Sequence, residues 1–154
     1  MPLVEEEILI NAPRDLVFDV SQDYAIRRQW DPFSRGTYLL DGVTAAAVGV
    51  KGFVQARNGF RMTFEYVSYQ RPERAAIVML YGPLFFKKFA GTWIFEEVGE
   101  RSVRARFRYT FATRPAALRR PLDCLVQRLF RRAIIDRLLA LKEFCESRSS
   151  QPRL

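Results

Sequence analysis

The chain has 154 residues, a length that suits one domain able to bury roughly 70% of its unfolded surface around a single core. Hydrophobic residues make up 49% of the sequence and aromatic residues 14%, which is a globular composition and excludes a disordered protein. The formal net charge is +8. A charge of this size indicates either a solvated basic surface or an acidic partner, such as nucleic acid, anionic lipid or an acyl-carrier-type protein.

The lack of histidine and the positions of the two cysteines limit which catalytic, metal-binding and disulfide chemistry is possible. The chain contains no histidine, so Ser-His-Asp and Cys-His catalysis lack a required residue, and zinc, haem and non-haem iron sites lack a common ligand. We therefore predict no metal and no cofactor. Cys124 and Cys145 lie about 30 Å apart along one predicted helix, far beyond the ~7 Å that a disulfide spans. Free thiols, together with the lack of a leader or a long apolar run, predict a cytoplasmic location.

The first thirty-odd residues predict one strand followed by two short helices. Residues 3–10 are strand-like, although three consecutive glutamates break the alternation and indicate an exposed edge. Pro13 suits the first position of a helix, where a missing N–H costs nothing. The dipeptide Asp31-Pro32 must end the second helix, because the residue before a proline avoids helical backbone angles.

From Thr37 to about Thr113 the hydrophobic period becomes strand-like. Asn58-Gly59 is a strong hairpin signal, since both residues accept the positive φ angles that tight turns require. The predicted strands are residues 38–41, 47–57, 60–66, 75–81, 89–98 and 101–112. Consecutive hairpin-connected strands with one apolar face predict an antiparallel, strongly curved sheet.

The last segment predicts one long helix, from Pro115 or Pro121 to about Ser147. Its apolar residues recur at helical spacing, and its arginines, including Arg137, are assigned to the flanks. Such a helix is long enough to lie across the whole concave sheet. We expect a single domain over residues 1–147 and a disordered tail over residues 148–154.

A strand, two short helices, six antiparallel strands and a long C-terminal helix form the helix-grip order. The chain resembles the START-like or SRPBCC superfamily, which includes the polyketide cyclase/dehydrase and lipid-transport group. The resemblance rests on Ile8-Leu9-Ile10-Asn11-Ala12-Pro13, Val17-Phe18, Asp23-Tyr24, Trp30-Asp31-Pro32, Gly91-Thr92-Trp93 and the helix end from Leu138 to Phe144. It implies an α+β fold in which about seven curved strands wrap a long helix, and a hydrophobic ligand held between sheet and helix.

Aromatic residues are concentrated on the face of the sheet that is predicted to point inward. A curved sheet spanned by one straight helix cannot close completely, so part of this set should line a cavity, with tyrosine hydroxyls orienting the ligand. The alternative for each residue is ordinary core packing. The predicted pocket residues are Trp30, Phe53, Met62, Phe64, Tyr66, Met79, Tyr81, Trp93, Phe95, Phe107, Tyr109, Phe111, Leu129 and Ala133.

Two further segments have two interpretations each. Trp30 either caps the ligand or plugs one end of the sheet. In the second segment, Leu84, Phe85 and Phe86 stand beside Lys87 and Lys88. This loop either inserts its apolar side chains into an anionic membrane surface or folds its phenylalanines over the core as a lid.

The outer face of the last strand carries a basic row, Arg104, Arg106 and Arg108. Glu65 and Glu96 are predicted to pair with it, each pair contributing at most ~1 kcal/mol. Neither exposed aromatics nor a groove-entering helix accompanies the row, so nucleic acid is not an expected partner.

Three functions are compatible with these patterns. The first is binding or transport of a small hydrophobic molecule of lipid, polyketide or isoprenoid type. The second is a cyclase or dehydratase, because some relatives use pocket tyrosines and an arginine for that chemistry, although no such arginine can be assigned from this sequence. The third is an interaction module, because one branch of the superfamily engages a chaperone. An interior arginine or carboxylate beside a tyrosine would favour the second function, and an interior without a cavity would favour the third. The sequence leaves the oligomeric state open.

Overall fold

The computed structural model describes residues 2–149. Seven antiparallel strands form one sheet, in the order β1-β7-β6-β5-β4-β3-β2. The strands are β1 Leu3–Ile10, β2 Ser34–Leu39, β3 Lys51–Ala56, β4 Arg61–Gln70, β5 Arg74–Tyr81, β6 Phe86–Gly99 and β7 Ser102–Thr113. The α-helices are α1 Arg14–Gln22, α2 Arg27–Trp30 and α3 Arg119–Ser149, and a short 3-10 helix at Ala116–Leu118 precedes α3. The predicted helix-grip fold is confirmed.

The second and third strands differ from their predicted bounds. β2 begins at Ser34, four residues before the predicted start, because Ser34 already pairs with Ala56 of β3. β3 begins only at Lys51, since the chain between these strands passes through positive φ angles at Asp41, Gly42 and Gly49, which a regular strand cannot contain. At the C-terminus, α3 continues to Ser149, two residues beyond the predicted end. The rest of the predicted tail, residues 150–154, lies outside the described residues.

The alternation of β7 decides which face of the sheet is buried. Val103, Ala105, Phe107, Tyr109 and Phe111 are all buried and point towards α3. Because side chains alternate along a strand, the intervening arginines lie on the outer face.

Neighbouring carboxylates pair with these outer arginines. Arg106 contacts Glu7 at 3.0 Å, Arg108 contacts Glu5 at 3.1 Å, and Arg104 contacts the predicted partner Glu96 at 3.3 Å. The prediction that Glu65 pairs with this row is wrong. Its strand, β4, is three positions away from β7, whereas β1 lies directly beside β7.

α3 covers the concave face unevenly. Its buried residues, Val126, Phe130, Ile134, Leu138, Leu141 and Cys145, recur every three or four positions and form one stripe. The helix packs most closely on β1 and β7 at one edge of the sheet. Space therefore remains between α3 and the strands beyond β7. Cys124 and Cys145 are free thiols, as predicted. Within residues 2–149, no helix combines the length and hydropathy needed to span a bilayer.

Candidate ligand cavity

An inner cavity of about 100 Å³ lies between the concave face of the sheet and α3. Its walls are largely aromatic and aliphatic, and its polar groups come from α1, α2 and the turn between them, from β2, β4 and β7, and from α3. The side chains that surround it include Val54, Met62, Phe64, Ile77, Phe89, Trp93, Phe107, Phe130, Gln22, Tyr24, Tyr66, Tyr109, Arg27 and Arg137. The interior thus combines an apolar wall with a few convergent polar groups, as small-molecule sites generally do.

A second, more open groove of about 440 Å³ runs along the first half of α3. Leu122, Leu125, Val126 and Leu129 of the helix form one of its sides. Phe33, Ala56, Phe60, Phe86 and Phe130 line both the groove and the inner cavity. These five residues, here called the aromatic partition, separate the two spaces.

The size of the inner cavity limits what it can hold alone. Ligand pockets typically measure about 300–1,000 Å³, and a cavity of about 150 Å³ accommodates benzene. The inner cavity is smaller than either. A larger ligand must therefore reach past the aromatic partition into the groove, or displace its side chains.

A buried ion pair joins α3 to the end of α2 beside the cavity. Arg137 of α3 donates from Nη2 to Asp31 Oδ2 at 2.9 Å and from Nε to Asp31 Oδ1 at 3.2 Å. Its Nη1 donates to the hydroxyl oxygen of Tyr109. The guanidinium also lies 5.0 Å from the ring centre of Phe33 and 4.7 Å from that of Phe107. Fork-shaped pairing of this kind fixes the geometry of both partners.

A second arginine, Arg27, reaches the same carboxylate from α2. Its Nη1 lies 3.5 Å from Asp31 Oδ2, the outer limit for a hydrogen bond, and its Nη2 donates to the backbone carbonyl of Ser21. The side chain also stacks on Tyr24 at 4.8 Å. Arg27 is only 6% exposed, and its Nε has no hydrogen-bond partner within the part of the chain that the structure describes.

Arg27, Asp31, Tyr109 and Arg137 form one buried charged cluster. Burial and neighbouring charges shift the pKa values of the last three in opposite directions. Burial alone would raise the pKa of Asp31, but the nearby charges of Arg137 and Arg27 hold it below its usual value. Burial would lower the pKa of Arg137, but Asp31 and Tyr109 raise it. Burial raises the pKa of Tyr109 and outweighs the opposing charge of Arg137. At neutral pH the cluster therefore contains two guanidinium ions, one carboxylate and a neutral phenol.

A chain of neutral hydrogen bonds forms a second polar patch in the cavity. Tyr66 donates to Gln22 Oε1 at 2.7 Å and accepts from the Tyr24 hydroxyl at 2.5 Å. Burial, together with Tyr24, raises the pKa of Tyr66 well above its usual value. This patch can therefore offer only neutral hydrogen-bonding groups to a ligand at neutral pH.

Six of the predicted pocket residues line the inner cavity: Met62, Phe64, Tyr66, Trp93, Phe107 and Tyr109. Two others, Leu129 and Ala133, line the groove. The predicted residues therefore divide between two adjoining spaces.

Phe53 and Tyr81 lie on the outer face of the sheet, so their assignment to the pocket was wrong. Both residues pair with Thr63, which faces outward. Val54 takes the inward position on β3. A register shift between Thr63 and Phe64 reverses the expected side at the end of β5, leaving Tyr81 76% exposed.

Four further predicted residues belong to the packed core and do not line the cavity. Phe95 packs edge-on against Phe18 at 5.8 Å, and Phe111 packs edge-on against Phe130 at 5.5 Å. Met79 pairs with Phe64 and packs on the core. Trp30 packs edge-on against Trp93 at 6.4 Å and is buried, which matches its interpretation as a plug.

The predicted loop residues 84–88 lie in different environments, and the last three of them already belong to β6. Phe86 is buried and stacks on Phe130 with ring centres 5.7 Å apart, so it folds over the core. Phe85 is half-buried against Phe60 at 5.4 Å. Leu84 is 85% exposed, and Lys87 and Lys88 are also exposed. The lid interpretation therefore describes the phenylalanines, and membrane contact stays a prediction for the remaining three residues.

The charged cluster was missed by the sequence analysis. Arg137 was assigned to the helix flank, yet it is buried. Its position three residues after Ile134 places it on the buried stripe of α3, and this spacing was the signal that could have found it. The Asp31-Pro32 dipeptide predicts the end of a helix and carries no signal for an ion pair. Nothing in the local sequence indicates that Arg27 rather than Arg28 points inward.

The sequence also matches a known family. The profile of the family described as "Polyketide cyclase / dehydrase and lipid transport" matches residues 1–146. The chain belongs to this family. The chain therefore has the ligand-binding or polyketide cyclase-type scaffold of this family. The resemblance inferred from the sequence is confirmed.

Solved structures of the same fold come from several organisms. A START superfamily protein from Mycobacterium smegmatis is similar over 94% of this chain and 97% of its own, with a TM-score of 0.77 and 12% identity. The Zhui aromatase/cyclase from a Streptomyces species is similar over 96% and 94%, with a TM-score of 0.76 and 19% identity. A norcoclaurine synthase mutant from Thalictrum, in complex with a transition state analogue, gives 0.72 at 12% identity over 97% and 96%. At these identities the similarity shows the fold alone. No curated protein sequence matches the chain.

Replacing Asp31 by asparagine should destabilise the fold strongly. The change leaves two buried guanidinium ions without a counter-charge, which typically costs about 3–5 kcal/mol in the free energy of unfolding. Asp136→Asn is the matched control, because Asp136 pairs with Arg132 at 3.8 Å on the surface and should lose at most ~1 kcal/mol. Urea unfolding at neutral pH measures both variants. Equal losses would contradict the buried ion pair.

The pH dependence of the Asp31→Asn effect has a predicted sign. Because the folded-state pKa of Asp31 is below the ordinary 3.8, the carboxylate stabilises the fold fully above that value. This contribution is lost as pH falls further, through the lower folded-state pKa. The difference in unfolding free energy between the parent and Asp31→Asn should therefore shrink only below about pH 3.8. A difference that shrinks between pH 7 and 5 would contradict the lowered pKa.

Proposed function

We propose that the protein binds a small, largely apolar molecule whose body extends from the inner cavity through the aromatic partition into the groove beside α3. The observation that carries this proposal is the pair of adjoining apolar spaces, which share Phe33, Ala56, Phe60, Phe86 and Phe130. The family to which the chain belongs includes lipid-transport proteins, which supports the same function. An interaction module without a ligand is less well supported, because the interior contains a cavity.

The free energy available from burial is adequate for binding. Removing a few hundred Å² of apolar ligand surface from water contributes several kcal/mol at ~25 cal/mol per Å². After the entropic cost of association, that amount is consistent with micromolar affinity. Selectivity would then depend on the polar groups at the inner end, since apolar walls discriminate weakly between molecules of similar size.

A second candidate function is catalysis of a cyclisation or dehydration. The observation that favours it is the Arg137 guanidinium beside the Tyr109 hydroxyl at the inner end of the cavity. A guanidinium can stabilise negative charge on a carbonyl oxygen, and a neutral phenol can donate a hydrogen bond. However, the raised pKa of Tyr109 makes it a poor general base at neutral pH. In addition, Arg137 is already committed to Asp31 through two hydrogen bonds. Binding without reaction is therefore the function we favour.

We further propose that the protein acts in the cytoplasm and receives its ligand at an anionic membrane surface, touched by Leu84, Lys87 and Lys88. The exposure of a leucine beside two exposed lysines supports this contact. The neighbouring Phe85 and Phe86 line the groove, so a molecule leaving the membrane there would meet an apolar path inward.

Filling the inner cavity should weaken binding of Nile red, a neutral apolar dye. Val54→Phe puts a larger side chain into the cavity wall. The dye would then be crowded by this side chain, so its affinity should fall about tenfold. Val67→Phe is the control, because Val67 is 51% exposed. Dye fluorescence measures binding, and thermal unfolding confirms that both variants are folded. No binding by the parent, or equal binding by both variants, would contradict the proposed ligand site.

Introducing a charge at the loop should weaken membrane association. Leu84→Asp removes an apolar contact and adds repulsion, so binding to vesicles that mix phosphatidylcholine with phosphatidylglycerol should fall about tenfold. The control Val98→Asp changes a residue that is 44% exposed at the opposite end of β6. Vesicle co-sedimentation measures both. If the parent does not sediment with the vesicles, or if both variants sediment equally, the membrane contact is absent.

A further inference from the structure

The buried charges beside the cavity do not balance. Arg27, Asp31 and Arg137 are the charged residues that are buried within residues 2–149, so two positive charges face one negative charge. The pKa of Asp31 is lowered and that of Arg137 is raised, hence both stay ionised. A buried positive charge without a partner is costly, and proteins normally compensate it.

The two arginines differ in how far they are satisfied. Arg137 makes two hydrogen bonds to Asp31 and one to Tyr109. Asp31 also accepts from the backbone N–H of Phe33 at 3.0 Å, which leaves little of its carboxylate for Arg27. Accordingly, Arg27 reaches Asp31 only at 3.5 Å. The excess positive charge is therefore located mainly on Arg27.

Arg27 also has an unused donor next to the cavity. Its side chain lines the inner cavity and is more than nine-tenths buried, and its Nε has no hydrogen-bond partner among the residues that the structure describes. Arg14, Trp30, Ser34 and Arg108 also carry a buried polar atom without a partner in the described residues, but of these five residues only Arg27 lines the inner cavity. A ligand oxyanion in the inner cavity would lie beside the Arg27 side chain and neutralise its excess charge.

We propose that the ligand is a single-chain amphiphile whose carboxylate is held at Arg27 in the inner cavity, with its apolar chain crossing the aromatic partition into the groove. This inference rests on the proposed function and adds the chemical class of the ligand. The inner cavity of about 100 Å³ has room for a carboxylate but not for a phospholipid head group, which excludes a diacyl phospholipid inserted head first. Arg27 is a binding residue in this proposal, and Arg137 positions Asp31 beside it.

Ligands matched in chain length test the proposal on the unmodified protein. Decanoic acid, decanol and decylamine differ only in the head group, and isothermal titration calorimetry near neutral pH measures the affinity of each. A charge-assisted hydrogen bond to a buried arginine should favour the acid over the alcohol about tenfold or more. The amine should bind more weakly than the alcohol, because its charge repeats that of Arg27.

Two arginine variants locate the preference for the acid. Arg27→Gln removes the charge and should reduce the acid-to-alcohol preference to less than about threefold. Arg28→Gln is the matched control, because Arg28 is the exposed neighbour on the same helix and its loss should leave the preference intact. Thermal unfolding shows whether each variant is folded, and the comparison of acid, alcohol and amine on the parent protein does not depend on the variants.

The outcomes distinguish failure of the proposed ligand class from failure of the proposed binding function. If acid and alcohol bind the parent equally, the carboxylate proposal is overturned and the apolar binding function stands. If the preference persists in folded Arg27→Gln, or is lost in Arg28→Gln, the assignment to Arg27 is wrong. If none of the three molecules binds, the proposed function fails and this inference fails with it.

Discussion

The structure depends on one buried ion pair, between Asp31 at the end of α2 and Arg137 in the middle of α3. It joins the short helical segment that follows β1 to the helix that grips the sheet. Besides this pair, α2 is held by the packing of Trp30 on Trp93 and by the hydrogen bond from Arg27 to the carbonyl of Ser21. The pair also determines the position of Tyr109, because Arg137 holds the tyrosine hydroxyl. The polar inner end of the cavity therefore follows from the same interaction that closes the fold.

Arg27 gives this ion pair a functional consequence. A single arginine facing Asp31 would form a neutral ion pair with a purely structural role. Apolar residues in its place could give the same stability. The second arginine leaves an excess of positive charge beside an apolar space, and the Nε of Arg27 is without a partner in residues 2–149. This excess charge raises the free energy of the unliganded protein. A ligand with a negative charge would neutralise it and would gain affinity from doing so. The arrangement of the helices is thereby linked to the class of molecule that the protein would select.

The fold was predictable because its signals are periodic. The alternation of β7 and the stripe of α3 extend over many residues, so local errors hardly affect them. Individual pocket residues were less predictable, because one register shift beside Thr63 moves Tyr81 to the outer face. Likewise, Phe53 takes the outer face because it pairs with the outward-facing Thr63, while Val54 pairs with the inward-facing Met62. The charged cluster was not predicted at all: its members come from α2 and α3, 106 positions apart, and only the packing of α3 brings them together.

The most direct test of this view is a crystal structure of the protein with decanoate. The excess charge of Arg27 predicts that one carboxylate oxygen lies within hydrogen-bonding distance of its guanidinium group, that Asp31 and Arg137 keep their pairing, and that the chain passes Phe86 and Phe130 into the groove. A decanoate bound in the reverse direction, with its carboxylate in solvent beside the groove and its chain end against Arg27, would contradict the central claim.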